Sequence, residues 1–386
     1  MILHENVTII IAISVVVVFS PFIARLIKMP TTPVEIILGS LLGFFGLLHE
    51  HHLFELIAEF GFLYLMFIAG TEINIKKMLR VEKALLQKIL LYLIILYTLS
   101  ISLALYLNLG KIFMVLLPLI SVGLIATLSK EYGQTPWLSL AMTAGAIGEV
   151  ISIAALTLTS ASLEYGIGMN LLTIVLKLSI FLLLMVVLFK ALQVLFWWYP
   201  QFSTELMPYD DNKEQDFRLS MALLFLLISV MLILNLELAF GAFIAGMFVP
   251  TFFEHKHELP EKIASFGFGL IVPVFFIHIG TTFNLNALTM DGLVLKALII
   301  TFAMIIIRLL SAMIFIKKSG LINAMLMALS HSMPLTLLIA MATMAYHAKS
   351  IDMLHYYAFI LAALFQVIIV MILIKFLTNK SMTSIP

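Results

Sequence analysis

Cysteine is absent from this 386-residue chain, which excludes disulfide frameworks, thiol nucleophiles and thiolate metal sites. Charge is scarce too. Asp, Glu, Lys and Arg make up 11% of the residues and nearly cancel, leaving a formal net charge of +1. That balance supplies no basic field for nucleic acid and no strongly acidic one, so no nucleic-acid partner is expected. No nucleophile elbow, phosphate loop or HExxH spacing occurs, and neither enzymatic chemistry nor a resident cofactor is expected. Long polar stretches are also missing. The longest connection between apolar runs, Tyr199 to Asp216, leaves no room for a regulatory domain.

What fills the chain is apolar. Hydrophobic residues reach 63% and mean hydropathy is +1.15, a composition of membrane-spanning helices and not of a soluble core. The first run, Val7 to Lys28, has no basic stretch before it and no A-x-A site, and Arg25 and Lys28 follow its apolar part. It reads as a retained span, not a signal peptide. The pattern predicts an all-α, polytopic membrane protein of about thirteen transmembrane helices. Their expected positions are 7–28, 32–48, 53–70, 84–107, 111–129, 135–159, 167–198, 217–236, 237–253, 262–283, 291–316, 321–346 and 354–377. The eighth and ninth abut at Asn235–Leu236–Glu237, a weak hairpin signal.

With the N-terminus outside and the C-terminus cytoplasmic, the inner ends of these spans collect most of the 22 Lys and Arg residues. Outer loops keep only Lys111 and Lys349, while Lys177, Lys296 and Arg308 fall inside spans, as the positive-inside rule requires. An odd count also permits two six-helix repeats of opposite orientation: about 7–159, a linker helix at about 167–198, and about 217–377. The fifth span then corresponds to the twelfth and the fourth to the eleventh.

One stretch organises the rest: Ala141 to Ala155, with Glu149 midway along an apolar run. A carboxylate near the middle of a bilayer costs about 2.5–3.5 kcal/mol or more and marks a functional site by default. The small residues Ala144, Gly145, Ala146 and Gly148 let neighbouring helices approach, so that Glu149 faces protein. The fifth span carries Pro118, Ser121, Gly123 and Thr127, and the twelfth carries Ser330, His331, Ser332, Pro334 and Thr336. Helix breakers and hydroxyls at corresponding places predict discontinuous helices, whose freed backbone groups bind ions near the midplane.

Arg308 lies too deep in the eleventh span to reach water. Its permanent charge demands a carboxylate or a helix C-terminus, and it reads as an organiser of the ion site. Lys177 and Lys296, nearer helix ends, are expected to snorkel. His49, Glu50, His51 and His52 read as a solvated turn, as do His255 and His257, and His278 as a packing residue. Glu59, Glu72 and Glu237 lie near span ends. Gly39 and Gly43 fit GxxxG and suit helix packing within or between subunits.

These residues resemble the monovalent cation:proton antiporter-2 family, which includes Kef-type potassium efflux transporters and bacterial sodium–proton exchangers. The matching stretches are TPVEIILGSLLGFFGL (32–47), FGFLYLMFIAGTEI (60–73), GLIATLSKE (123–131), AIGEVISI (146–153), FGAFIAGMFVP (240–250), VPVFFIHIGTTFNL (272–285) and the Arg308 helix. The resemblance implies a membrane domain only, forming a homodimer in a bacterial inner membrane. It places scaffold and dimer helices at about 7–70 and 217–283, and core ion-transport helices at about 84–159 and 291–377. Crossed, unwound fifth and twelfth helices would bracket Glu149. Family members carry a polar or acidic pair on the sixth helix; here the pair is Gly148–Glu149, with Glu in place of the usual Asp. The twelfth helix usually continues Ser-x-x-Gly-Glu, a Glu that this chain lacks.

The expected function is secondary antiport of Na+ or K+ against protons, by alternating access. Glu149, Thr127 and Ser121 are expected to hold the transported cation or proton. Arg308, Gly148, Ser330, His331, Ser332 and Pro334 support them. A single carboxylate predicts exchange of one cation per proton, hence electroneutral transport. The alternative is a sodium-coupled symporter of a small organic solute on a related fold. A channel would need an acidic ring or filter that is not seen, and adjacent Ser330–His331 cannot serve as a nucleophile–base pair on a helix.

Overall fold

The computed structural model describes residues 2–27, 30–48, 51–107, 109–133, 135–165, 169–199, 201, 205, 214–253, 256, 258–283 and 285–383. Every regular element among them is helical, as expected. Nine of the described helices are long and apolar enough to cross a membrane. A further pair, Leu321–Ser330 and Leu335–His347, meets the same test with a bend of 43°. Two shorter apolar helices, Thr31–Phe44 and Leu238–Phe252, fall where the second and ninth spans are expected. The chain divides into two compact units, one of Met1–Ile75 with Gly168–Leu288, the other of Lys76–Ile167 with Thr289–Pro386.

The first unit is held by glycines. A Cβ on Gly70 would lie 2.1 Å from the Phe243 carbonyl oxygen, and one on Gly246 2.1 Å from that of Phe67. Helices His52–Thr71 and Leu238–Phe252 therefore touch backbone to backbone. Thr31–Phe44 and Val272–Thr282 do the same: added Cβ atoms on Gly39 and Gly280 would meet the Ile277 and Ile36 carbonyl oxygens at 2.3 and 2.2 Å. The Gly39–Gly43 face is thus used within the chain, where close approach lets dispersion hold helices that lipid cannot drive together. Gly246→Ala is expected to lower the thermal unfolding temperature in detergent by several degrees, since over-packing costs about 1–3 kcal/mol. Gly269→Ala, with nothing within 4 Å of the added carbon, is expected to leave it unchanged.

Local contacts shape this unit. Helix Gln215–Leu234 stops at Asn235, which adopts left-handed angles (φ 52°, ψ 49°) while its N–H bonds the Leu232 carbonyl. The hairpin signal at 235–237 is therefore a helix C-terminal cap. Lys177 does not reach for water as expected: its Nζ donates to the Leu234 carbonyl at 3.0 Å, a cation at the negative end of a helix. His51 caps His52–Thr71, its Nδ1 accepting from the Leu53 N–H. His49, Glu50, His255 and His257 lie outside the described residues. His278 packs edge-on against Phe54.

The second unit contains the interruptions. Helix Phe113–Leu116 ends, the chain runs without helical structure through Leu117–Val122, and Gly123–Tyr132 resumes. Pro118 supplies no N–H and its ring crowds the preceding turn, which favours a break there. In the other interruption, Leu321–Ser330 closes with His331 N–H to Met327 and Ser332 N–H to Leu329, and Leu335–His347 begins after Pro334. Around them stand Lys83–Tyr106, Pro136–Tyr165, Leu293–Ala312 and Met353–Thr383.

Candidate ion-binding site

An interrupted helix in a membrane leaves backbone groups that must find partners, because lipid offers none. In the stretch 117–122 the partners come from two neighbours. The Val122 N–H donates to Glu149 Oε2 at 3.0 Å, and the Ile120 N–H to Ser152 Oγ at 3.0 Å. Glu149 and Ser152 are three residues apart on helix Pro136–Tyr165, so both present to one side of it. Ser121 Oγ adds a bond to Glu149 Oε1 at 3.0 Å. Glu149 is fully buried. Its carboxylate thus faces the start of helix Gly123–Tyr132, where free N–H groups and the helix dipole favour negative charge.

The glycines around Glu149 make this approach possible. A Cβ on Gly148 would lie 2.7 Å from Ile120 Cδ1, and one on Gly145 3.3 Å from Val122 Cγ2. Gly148 therefore admits the unwound segment instead of supplying a ligand.

Arg308 serves the carbonyls. It is fully buried; its Nε donates to the His331 carbonyl at 2.8 Å, Nη1 to Met304 at 2.9 Å, and Nη2 to Leu119. Leu119 lies in one interruption and His331 in the other, so a single guanidinium spans both. No carboxylate is among these three acceptors; two of the partners are oxygens of the interruptions, and the third, Met304, lies one turn back on the same helix. A planar fork with donors in diverging directions suits that task, and an ammonium does not.

The remaining expected residues separate. Ser330 and Ser332 turn their hydroxyl protons back to the Met327 and Ala328 carbonyls of their own helix. The His331 ring lies between Tyr92 and Ala141. Pro334 sits at the N-cap of Leu335–His347. Thr127 lies on Gly123–Tyr132, but its side chain is outside the described residues. Ser152, Leu119, Met304 and Tyr92 join the site only through the tertiary structure. Of these only Ser152 left a signal, its three-residue spacing from Glu149. Gln366 is also fully buried, its Nε2 against Met304 Sδ and its Oε1 without a partner among the described residues.

The sequence profile described as "Sodium/hydrogen exchanger, transmembrane" matches residues 11–380. The chain belongs to the sodium/hydrogen exchanger family. One relative of this exchanger-family chain is the "Putative Na(+)/H(+) antiporter YjbQ" of Bacillus subtilis (strain 168), 23% identical over 344 residues. The match takes in 82% of the chain but 54% of YjbQ, so the chain spans about half the length of that relative. Among solved structures, the sodium proton antiporter MjNhaP1 from Methanocaldococcus jannaschii superposes with a TM-score of 0.64 at 16% identity, over 95% of this chain and 96% of that one. The exchanger fold is therefore shared at a sequence distance where only architecture carries over. An integral membrane protein of a transporter family follows from these matches and the apolar helices.

Proposed function

We propose that this chain is a secondary antiporter exchanging a monovalent cation, Na+ or K+, for protons by alternating access. The observation that carries the reading is Glu149: a fully buried carboxylate held by Ser121 and the Val122 N–H at an interrupted helix. Protonated, it is neutral. Deprotonated, it draws in a small cation, whose shell Ser121 Oγ, the unwound carbonyls and Thr127 complete. Proton and cation compete for one group, and the loaded site is neutral with either. Exchange is therefore one for one and electroneutral.

Two features support the expected inverted repeat. Helix Thr31–Phe44 packs on Val272–Thr282, and His52–Thr71 on Leu238–Phe252; a repeat pairing spans 2 and 3 with 9 and 10 exchanges these two contacts. Gln366 also sits as far past Met353 as Glu149 does past Pro136, the place such a repeat would give to a neutral counterpart of the carboxylate. The reading includes a homodimer through the first unit and a carrier function for the second. It also includes an inner membrane with the N-terminus outside and the C-terminus cytoplasmic.

The test is proton movement in proteoliposomes with a preset pH gradient. Addition of Na+ or K+ is expected to dissipate the gradient, at a rate unaltered by an imposed membrane potential. A potential-dependent rate would overturn one-for-one exchange. Counterflow of an organic solute, without cation-driven proton movement, would overturn antiport.

A further inference from the structure

His331 is fully buried and bonded at both ring nitrogens: Nε2 lies 2.9 Å from the Ala141 carbonyl oxygen and Nδ1 3.0 Å from Tyr92 Oη. A carbonyl only accepts, so Nε2 carries the proton; the neutral ring then accepts at Nδ1, and Tyr92 donates. A doubly protonated ring would bury a second cation on the residue whose carbonyl already binds Arg308, between a carbonyl and a hydroxyl that cannot neutralise it. Three helical elements converge on this ring. Tyr92 comes from Lys83–Tyr106, Ala141 lies about two turns before Glu149 on the same helix, and His331 itself stands in the second interruption. Between Ala141 and Glu149, an added Cβ on Gly145 would lie 3.4 Å from Nε2. The ring therefore bears on the Glu149 helix over more than a single bond.

We infer that His331 is a positioning residue for the cation site: its ring, oriented by Tyr92, sets the spacing between the interrupted helix and the Glu149 helix, and with it the affinity for the transported cation. The inference rests on the antiport reading. A binding constellation must be held within about 0.5 Å of its productive geometry, so a slackened contact weakens binding before it slows the carrier.

Tyr92→Phe tests this with one atom removed, leaving the ring against Phe315 (centroids 5.7 Å). The full chain would be assayed in proteoliposomes over a range of Na+ and K+ concentrations, and in detergent for cation-dependent thermal stabilisation. Loss of one buried hydrogen bond is expected to raise the half-saturating cation concentration about 3–10-fold, weaken the stabilisation in parallel, and leave the maximal rate nearly unchanged. His331→Gln, which keeps a donor for Ala141, is expected to retain more affinity than His331→Leu. Unchanged half-saturation in Tyr92→Phe and His331→Leu, or a fall in maximal rate alone, would overturn the inference. Absence of cation-driven proton movement in the wild type would instead defeat the antiport reading; cation-dependent stabilisation would then decide the positioning role by itself.

Discussion

Glu149→Gln is expected to reduce cation-driven proton movement by about 100-fold or more, a loss of at least about 2.7 kcal/mol of selective stabilisation. The substitution is nearly isosteric, and its hydrogen bonds can be kept. The amide oxygen can take the Val122 N–H, while the amide nitrogen donates to Ser121 Oγ, because a hydroxyl accepts as readily as it donates. What disappears is the ability to bear a charge, and with it both the proton to be exchanged and the attraction for a cation. Folding should not suffer, since a neutral amide is less costly than a buried carboxylate. The variant is expected to unfold in detergent at the wild-type temperature or above. Glu149→Asp, which restores the residue usual in the resembled family, is expected to keep exchange with altered cation affinity. Full transport by Glu149→Gln would remove Glu149 from the mechanism.

Arg308→Met should fail for a different reason. Its three acceptors, Leu119, Met304 and His331, would lose this donor while fully buried. Met304 lies within a helix, but the Leu119 and His331 carbonyls belong to the interruptions. Each carbonyl left unsatisfied costs about 1–3 kcal/mol, so a fall in stability of several kcal/mol is expected beside the loss of transport. The measurement is thermal unfolding together with proteoliposome exchange. Arg308→Lys keeps the charge but cannot address three diverging oxygens; it is expected to recover part of the stability and little of the exchange. Wild-type stability in Arg308→Met would show that the interruptions hold themselves together. Comparing the two substitutions separates roles: Glu149 is expected to matter to transport alone, Arg308 to transport and fold together.

Much of the candidate site is legible because its signals are local. A carboxylate or guanidinium inside an apolar run stands out without any knowledge of the fold, so Glu149 and Arg308 could be picked directly. Proline beside hydroxyls hints at a broken helix: Pro118 and Pro334 fall at the observed interruptions, whereas Pro21 beside Ser20 and Pro250 beside Thr251 stay inside helices Ile2–Ile27 and Leu238–Phe252. Other features were misread or invisible. Lys177 has the pattern of a snorkelling residue, but its ammonium takes the Leu234 carbonyl at the end of a neighbouring helix. Leu119, Met304 and Ala141 act through carbonyl oxygens, which every residue possesses. Their side chains therefore give no warning. Tyr92 looks like any aromatic in a membrane helix until the ring it bonds is known.

The amino-acid sequence by itself determined that this chain is a bundle of membrane helices, where its costly charges sit, and where its helices are weakened. Those properties follow from hydropathy, ionisation and missing N–H groups, each a matter of single residues and their near neighbours. Only the tertiary structure decided which partners the broken backbone finds: Glu149 and Ser152 for the N–H groups, Arg308 for the carbonyls of both interruptions. It also decided which glycines meet, Gly70 with Gly246 and Gly39 with Gly280. Hydrogen bonds and close approaches depend on the distance between segments far apart in the chain, and that distance exists only once the helices have packed.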